Sequence, residues 1–180
     1  IKQALDQKLE ENLYRILPIR PAAGTDPVDL KDMRLRGLAE LMRVEFPTQI
    51  EHTDPANFPR NSGMIAGLDF GNDLADPQML LRFKTLLSGA SIENQDAECL
   101  YAIMSLHYDE QGNTLVSLLR KREIADTDSD GYLEVVDAFG DPLIFQLLDA
   151  DGNDLDPENP NRAHEYRFVI SSRNLDGNNN

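Results

Sequence analysis

The sequence predicts an α+β fold in which helices come first and a small antiparallel sheet comes last. Apolar residues recur at helical spacing through the first part of the chain, whereas short β-rich runs separated by turn signals follow Asp130. A small sheet needs a helix against one face, because its apolar side has to be covered. With 180 residues and 41% hydrophobic content, the chain is long enough to form one domain around such a core.

The chain is strongly acidic, with a net charge of −15. This charge argues against binding to nucleic acid or to an anionic membrane surface, because both are polyanions that would repel the protein. Divalent cations are the partners that such a composition favours. Cys99 is the single cysteine, which excludes an intrachain disulfide and a zinc site made of four cysteines.

Residues 1–17 are predicted to form a helical stem. Their apolar residues would line one face of an amphipathic helix that ends before Pro18: Ile1, Leu5, Leu9, Leu13 and Ile16. No N-cap residue precedes this helix. We therefore expect it to be the lower part of a longer helix whose beginning has been removed.

Residues 18–125 are predicted to be inserted helices and loops. A capping aspartate followed by proline, Asp26-Pro27, begins a second amphipathic helix that stops before Pro47. Residues 47–75 predict a long irregular connection, followed by a short helix from Pro77 to Leu87. The segment from Glu93 to Tyr108 is apolar nearly all round, which is typical of a helix buried on most sides.

Residues 126–177 predict the sheet. Three short β-rich runs, Leu133–Val136, Pro142–Leu148 and Glu165–Ser172, are separated by turn residues and suggest an antiparallel meander. The N-terminal helix is the candidate to cover one face of this meander. We expect the last three residues, 178–180, to fray.

Three local stretches carry a resemblance to a known family. The turn VVDAFGDPLIF, residues 135–145, is similar to a pattern that joins the first two sheet strands of type IV pilins and type II secretion pseudopilins, especially the major pseudopilins. The end, VISSRNLDG at 169–177, resembles the last strand and loop of that family. The stretches ECLYAIMSL (98–106) and REIADTDSDGYLEVVD (122–137) resemble longer bacterial pseudopilin-like proteins with inserted helices.

Residues 95–177 carry this resemblance, and the stem agrees with it in kind. It implies a structural subunit of a secretion pseudopilus or pilus-like fibre, without enzymatic activity. Such subunits are anchored in the inner membrane by an N-terminal helix and pack against one another through that helix. The soluble domain would then lie in the periplasm or in a fibre at the cell surface.

The segment DTDSDGYLEVVD has the residue pattern of a calcium loop. Calcium takes six to eight hard oxygen ligands, which alternating carboxylates around a glycine turn supply. The candidate ligands are Asp126, Asp128, Asp130, the carbonyl of Tyr132, Glu134 and Asp137. An EF-hand pair is disfavoured because the loop leads into a β-rich run rather than a helix. A solvated acidic turn before a strand is the alternative interpretation.

Two weaker calcium candidates lie further along the chain. The segment DADGNDLD has oxygen donors at Asp149, Asp151, Asn153 and Asp154, although the same residues favour an ordinary hairpin loop. Asp176 matches a loop position that helps to bind calcium in the pseudopilin family, so that role is implied by the resemblance.

A second functional class stays open at the level of sequence. The chain would also suit a secreted, calcium-dependent binding or adhesion module whose long loop at 47–75 contacts a ligand. A hydrolase is disfavoured, because no base, nucleophile or cofactor motif accompanies the many acids. The sequence preceding Ile1 would separate the fibre subunit from the module.

Overall fold

The computed structural model describes residues 1–14, 17, 24–53, 77–149, 151–153 and 166–173. Its four described α-helices are α1 (Lys2–Leu13), α2 (Pro27–Glu45), α3 (Pro77–Leu87) and α4 (Gln95–Leu106). Its four described strands are β1 (Ile124–Ala125), β2 (Glu134–Val135), β3 (Leu143–Leu148) and β4 (Arg167–Ser172). Three short 3-10 helices in the same described ranges lie at Ile50–Thr53, Leu115–Leu118 and Lys121–Glu123. The predicted α+β class is confirmed in this broad form.

Helix α2 shows how local chemistry sets an element's limits. The Asp26 side chain accepts a hydrogen bond from the backbone N–H of Val28 at 2.8 Å, and Pro27 occupies the first turn, where its missing N–H costs nothing. The helix runs 19 residues and ends just before Phe46 and Pro47. Both limits agree with the prediction.

The strands form two separate two-stranded antiparallel sheets rather than one meander. Strand β3 pairs with β4 over six residues, from Leu143 opposite Ser172 to Leu148 opposite Arg167. Strand β2 pairs with β1, which precedes it in the sequence. Between β2 and β3, the described residues form one isolated bridge, which joins Val136 to Pro142. Proline has no N–H to donate, which explains why this pairing does not extend into a ladder.

The core lies between the helices and the longer sheet. Helix α4 packs against α3, β2 and β3, while α1 packs against β4. The stem residues Leu5 and Leu9 are buried, and three aromatic rings meet beneath them: Phe168 lies 4.9 Å from Phe46 and 5.4 Å from Phe145, measured between ring centroids. The N-terminal helix therefore lies against β4 of the longer sheet.

Helix α4 is the most buried helix that the structure describes. Seven of its twelve residues are buried, and six of them are small or apolar: Ala97, Cys99, Leu100, Ala102, Ile103 and Met104. Burial, together with the charges of Glu98 and Asp96, raises the pKa of the Cys99 thiol well above its ordinary value. Cys99 is therefore a core residue and an unreactive thiol. The seventh buried residue is Glu98.

Candidate metal centre

The segment from Asp126 to Gly131 folds into a tight loop that turns three carboxylates toward one another. Ser129 and Gly131 have positive φ angles of 63° and 94°, and this left-handed backbone bends the chain around the acidic side chains. The N–H of Gly131 donates to Asp126 Oδ2 at 3.2 Å across the loop. Carboxylate oxygens of Asp126, Asp128 and Asp130 lie within 4.8 Å of one another as a result.

The loop is also held from outside by the segment that joins α3 to α4. The backbone N–H of Ser91 donates to Asp130 Oδ2 at 2.6 Å, and the Ser91 hydroxyl donates to Asp128. Burial acts to raise the pKa of Asp130, but hydrogen bonds outweigh it, those from the N–H groups of Tyr132 and Ser91 first and those with the side chains of Glu98 and Asp128 after them, and they hold that pKa below its ordinary value. Asp130 is therefore ionised, as a metal ligand must be.

Glu98 brings a further carboxylate to the same place from helix α4. A carboxylate oxygen of Glu98 lies within 4.8 Å of oxygens of Asp128 and Glu134. Its side chain is 1% exposed, and within the described part of the chain no N–H or hydroxyl group donates to either of its oxygens. Burial, followed by the negative charges of Asp130 and Asp128, raises the pKa of Glu98 to about 8.

Glu134 is as buried as Glu98, but hydrogen-bond donors reach its carboxylate oxygens. The Thr127 N–H donates to both of its oxygens, at 3.1 and 2.9 Å, and the Thr127 hydroxyl donates at 2.9 Å. Asn94 adds a donor at 3.3 Å from the start of α4. Glu134 thus braces the β1–β2 hairpin while keeping an oxygen within reach of the cluster.

Asp137, the ligand expected at the twelfth position of the loop, accepts hydrogen bonds from groups outside the acidic loop. Its Oδ1 accepts from the N–H groups of Phe139 and Asp141 at 2.7 and 3.1 Å, and its other oxygen accepts from the Ser172 hydroxyl. These hydrogen bonds lower the pKa of Asp137, and the bond from Ser172 has the largest effect. Among the described residues, Asp137 does not belong to either group of converging carboxylates. It stabilises the turn between β2 and β3.

Tyr132 follows the acidic loop and orients it. Its N–H donates to Asp130 Oδ1 at 2.8 Å, which places its backbone beside the cluster. The role of its carbonyl as a ligand stays a prediction. Its hydroxyl lies over Gly89, where a Cβ atom would come within 2.6 Å of it. The aromatic ring therefore packs against the same α3–α4 connection that holds the loop.

The weaker candidate at Asp149 forms an ordinary turn in the structure. Asp149 Oδ1 accepts hydrogen bonds from the N–H groups of Asp151 and Asn153, both at 2.9 Å. These bonds, that from Asn153 above all, lower the pKa of Asp149. Neither Asp149 nor Asp151 joins a group of three converging carboxylates in the described ranges. The remaining two candidates, Asp154 and Asp176, lie outside the described residues.

Within the described residues, this turn occurs three times with the same hydrogen bonds. Each begins with an aspartate whose Oδ1 accepts from the second and fourth residues that follow it, and each has glycine at positive φ in fourth place. The sequences are DEQGN at 109–113, DAFGD at 137–141 and DADGN at 149–153. We call these the three Asp-Gly turns. Their first carboxylates are occupied by backbone donors.

The acidic side chains around loop 126–134 can therefore hold a cation. Carboxylates of Asp126, Asp128 and Asp130 converge in one group, and those of Glu98, Asp128 and Glu134 converge in a second group that shares Asp128 with the first. Carboxylates are the hard oxygen donors that calcium prefers. Glu98 was missed from sequence. The available signal was a lone acid in the otherwise apolar run ECLYAIMSL, since a buried carboxylate needs a partner.

Comparisons of the chain with models of known protein families, with curated proteins and with solved structures find no match. Within the part of the chain that the structure describes, no helix combines the length and apolar character needed to cross a membrane.

Proposed function

We propose that this chain is the globular part of a structural subunit of a type II secretion pseudopilus or type IV pilus-like fibre, and that calcium bound at loop 126–134 stabilises it. The observation that carries the calcium part is the convergence of Asp126, Asp128 and Asp130, together with two buried acids, Glu98 and Glu134, that converge on Asp128. The fibre part rests on the sequence resemblance and is supported by the packing of α1.

Helix α1 has the two faces that a fibre subunit requires. Leu5 and Leu9 are buried on one side, where the helix lies on β4. Gln3, Gln7 and Glu10 are exposed on the other side, which leaves that surface accessible to a neighbouring subunit. In this proposal, a membrane helix preceding Ile1 anchors the subunit, and the stems of successive subunits pack together in the periplasm or in a surface fibre.

Calcium would act as a structural clamp. Without a cation, the clustered carboxylates repel one another at close range, and this repulsion opposes the tight loop. A divalent ion neutralises part of that charge and holds the loop at the entry to the sheet. External and periplasmic calcium near about 1 mM would fill a site of modest affinity. The role is mechanical, and we assign no enzymatic activity to the protein.

Thermal unfolding tests the calcium part. We expect about 1 mM calcium to raise the melting temperature of the wild-type protein by several degrees over that measured in chelator. Asp128→Asn should remove this response, because Asp128 belongs to both groups of converging carboxylates. Asp32→Asn, at an exposed position on α2, is the matched charge control and should respond like the wild type. An unchanged wild-type melting temperature would contradict the proposal.

Cysteine cross-linking in cells tests the fibre part. Cysteines placed together at Gln3 and Glu10 of the full-length gene product should give a ladder of covalent oligomers, because both positions lie on the exposed face of α1. Cysteines at Asp29 and Asp32 of α2 serve as the control and should give far fewer. Calcium stabilisation without any ladder would favour the secreted binding module instead.

A further inference from the structure

We infer that Glu98 closes the calcium site, so that the ion is held between helix α4 and the acidic loop rather than by the loop alone. This inference deepens the proposed function and rests on calcium binding at loop 126–134. It assigns a ligand that lies 28 residues before the first aspartate of the loop and belongs to a different structural element.

The loop alone leaves the coordination of calcium incomplete. Three aspartates, one carbonyl and Glu134, each giving one oxygen, supply five oxygens, fewer than the six to eight that calcium takes. In a loop of twelve residues the last position normally contributes a carboxylate with both oxygens. Here that position is Asp137, and its oxygens accept hydrogen bonds from Phe139, Asp141 and Ser172. The missing carboxylate has to come from elsewhere.

Glu98 is positioned to supply it. Its carboxylate is buried, reaches the cluster beside Asp128, and has neither an N–H nor a hydroxyl donor among the described residues. Burying a carboxylate without a partner is costly, and the surrounding helix residues are apolar, so a leucine here would pack at lower cost. The neighbouring Glu134 shows the contrast, because three donor groups, on Thr127 and Asn94, satisfy it. Without a cation, Glu98 can bond to the neighbouring Asp130 carboxylate only by keeping a proton between the two acids, and a cation would replace that proton.

Closure by Glu98 gives the ion a wider mechanical role. The acidic loop already contacts the α3–α4 connection through Ser91, and Glu98 adds the buried body of α4. One ion would then fix three chain segments to one another: residues 88–91, α4 and residues 126–134. Calcium should therefore slow amide exchange in the first turns of α4 as well as in the loop.

Calorimetric titration with calcium chloride tests the inference on four proteins: the wild type, Glu98→Gln, Glu98→Met and Asp32→Asn. We expect the wild type and Asp32→Asn to bind with equal affinity. Both Glu98 variants should bind at least about tenfold more weakly, because each loses the closing carboxylate. The methionine variant fills the position with an apolar side chain of similar size. It therefore tests whether the Glu98 carboxylate binds calcium even if a buried glutamine disturbs folding.

The outcomes separate this inference from the proposal on which it rests. Wild-type binding together with equal binding by a folded Glu98 variant would overturn the role of Glu98 and leave the calcium loop intact. Absence of calcium binding to the wild type would overturn the proposed calcium site itself, and the role of Glu98 with it. Weakened binding by the Glu98 variants and slower exchange in α4 would together support closure.

Discussion

The backbone N–H of Ser91 donates a 2.6 Å hydrogen bond to Asp130 Oδ2, although 39 residues separate the two in sequence. The Ser91 hydroxyl meanwhile reaches Asp128. Two aspartates of the acidic loop are thus held by one residue of the α3–α4 connection. This contact makes the geometry of the loop depend on the helical part of the protein, and it can be tested directly.

Replacing Ser91 by alanine should weaken calcium binding several-fold and lower the free energy of unfolding by about 1 kcal/mol. The hydroxyl bond to Asp128 is lost, while the backbone bond to Asp130 remains. Ser105→Ala is the control, because the Ser105 hydroxyl bonds within α4 to the Tyr101 carbonyl. Calorimetry and urea titration measure the two quantities. Equal calcium affinity in both variants would show that the Ser91 hydroxyl does not organise the loop.

The stability of the calcium-free protein should fall as the pH rises toward 8. Glu98 is protonated in the folded protein below about 8, whereas in the unfolded chain it ionises near its ordinary value of 4.5. Between these values the folded state binds the extra proton, so raising the pH favours unfolding. Glu98→Gln should remove this slope.

The clean window for this measurement lies between pH 6.5 and 8. Burial, and then the charge of Arg43, lower the pKa of His52 from 6.5 to about 4, so His52 affects stability only below that window. Urea titrations of the wild type and Glu98→Gln in chelator at several pH values provide the comparison. Parallel stability curves for the two proteins would argue that Glu98 does not hold a proton in the folded state.

Asp137→Ala should destabilise the protein without changing calcium affinity. The substitution removes acceptors for two backbone N–H groups and for the Ser172 hydroxyl, which predicts a loss of about 1–3 kcal/mol in the free energy of unfolding. Asp149→Ala, in an equivalent turn, should cost less, because the second carboxylate oxygen of Asp149 accepts a long 3.5 Å bond from the Asn153 amide where Asp137 has the Ser172 hydroxyl. If Asp137→Ala weakens calcium binding as strongly as Asp128→Asn, then Asp137 is a ligand after all.

Gly89→Ala should destabilise the protein through Tyr132. The added Cβ would lie 2.6 Å from the Tyr132 hydroxyl and 3.1 Å from a ring carbon, so the ring has to shift. Overpacking of this kind costs about 1–3 kcal/mol. The double variant Gly89→Ala/Tyr132→Phe should recover part of the loss, because the closest atom is gone. Additive losses in urea titration would mean that the two residues do not clash.

The sequence predicted those features whose causes are local. The Asp26 cap and the prolines at 27 and 47 set the limits of α2, and the β-rich run ending at Ser172 gave the last strand, because each signal acts within a few residues. Strand β1 was not anticipated, since two residues, Ile124 and Ala125, carry too little pattern to mark a strand.

The candidate site was predictable only in part, for a physical reason. The spacing of Asp126, Asp128 and Asp130 fixes their convergence once Gly131 turns the chain. Asp137 fitted both the calcium-loop pattern and the D-A-F-G-D-P turn pattern. Its carboxylate bonds within the turn because the N–H donors of Phe139 and Asp141 are only two and four residues away. Glu98 reaches the cluster through packing of α4 against β2, which no local pattern encodes.

The three Asp-Gly turns have a consequence for how this protein can change over evolutionary time. Each closes its own hydrogen bonds within five residues, through the first aspartate and backbone groups, so these bonds do not depend on which side chain stands at the third position. One of these positions holds Phe139, whose side chain is 88% exposed. A substitution at the third position of such a turn can therefore change the protein surface while the hydrogen-bonded backbone of the turn stays the same.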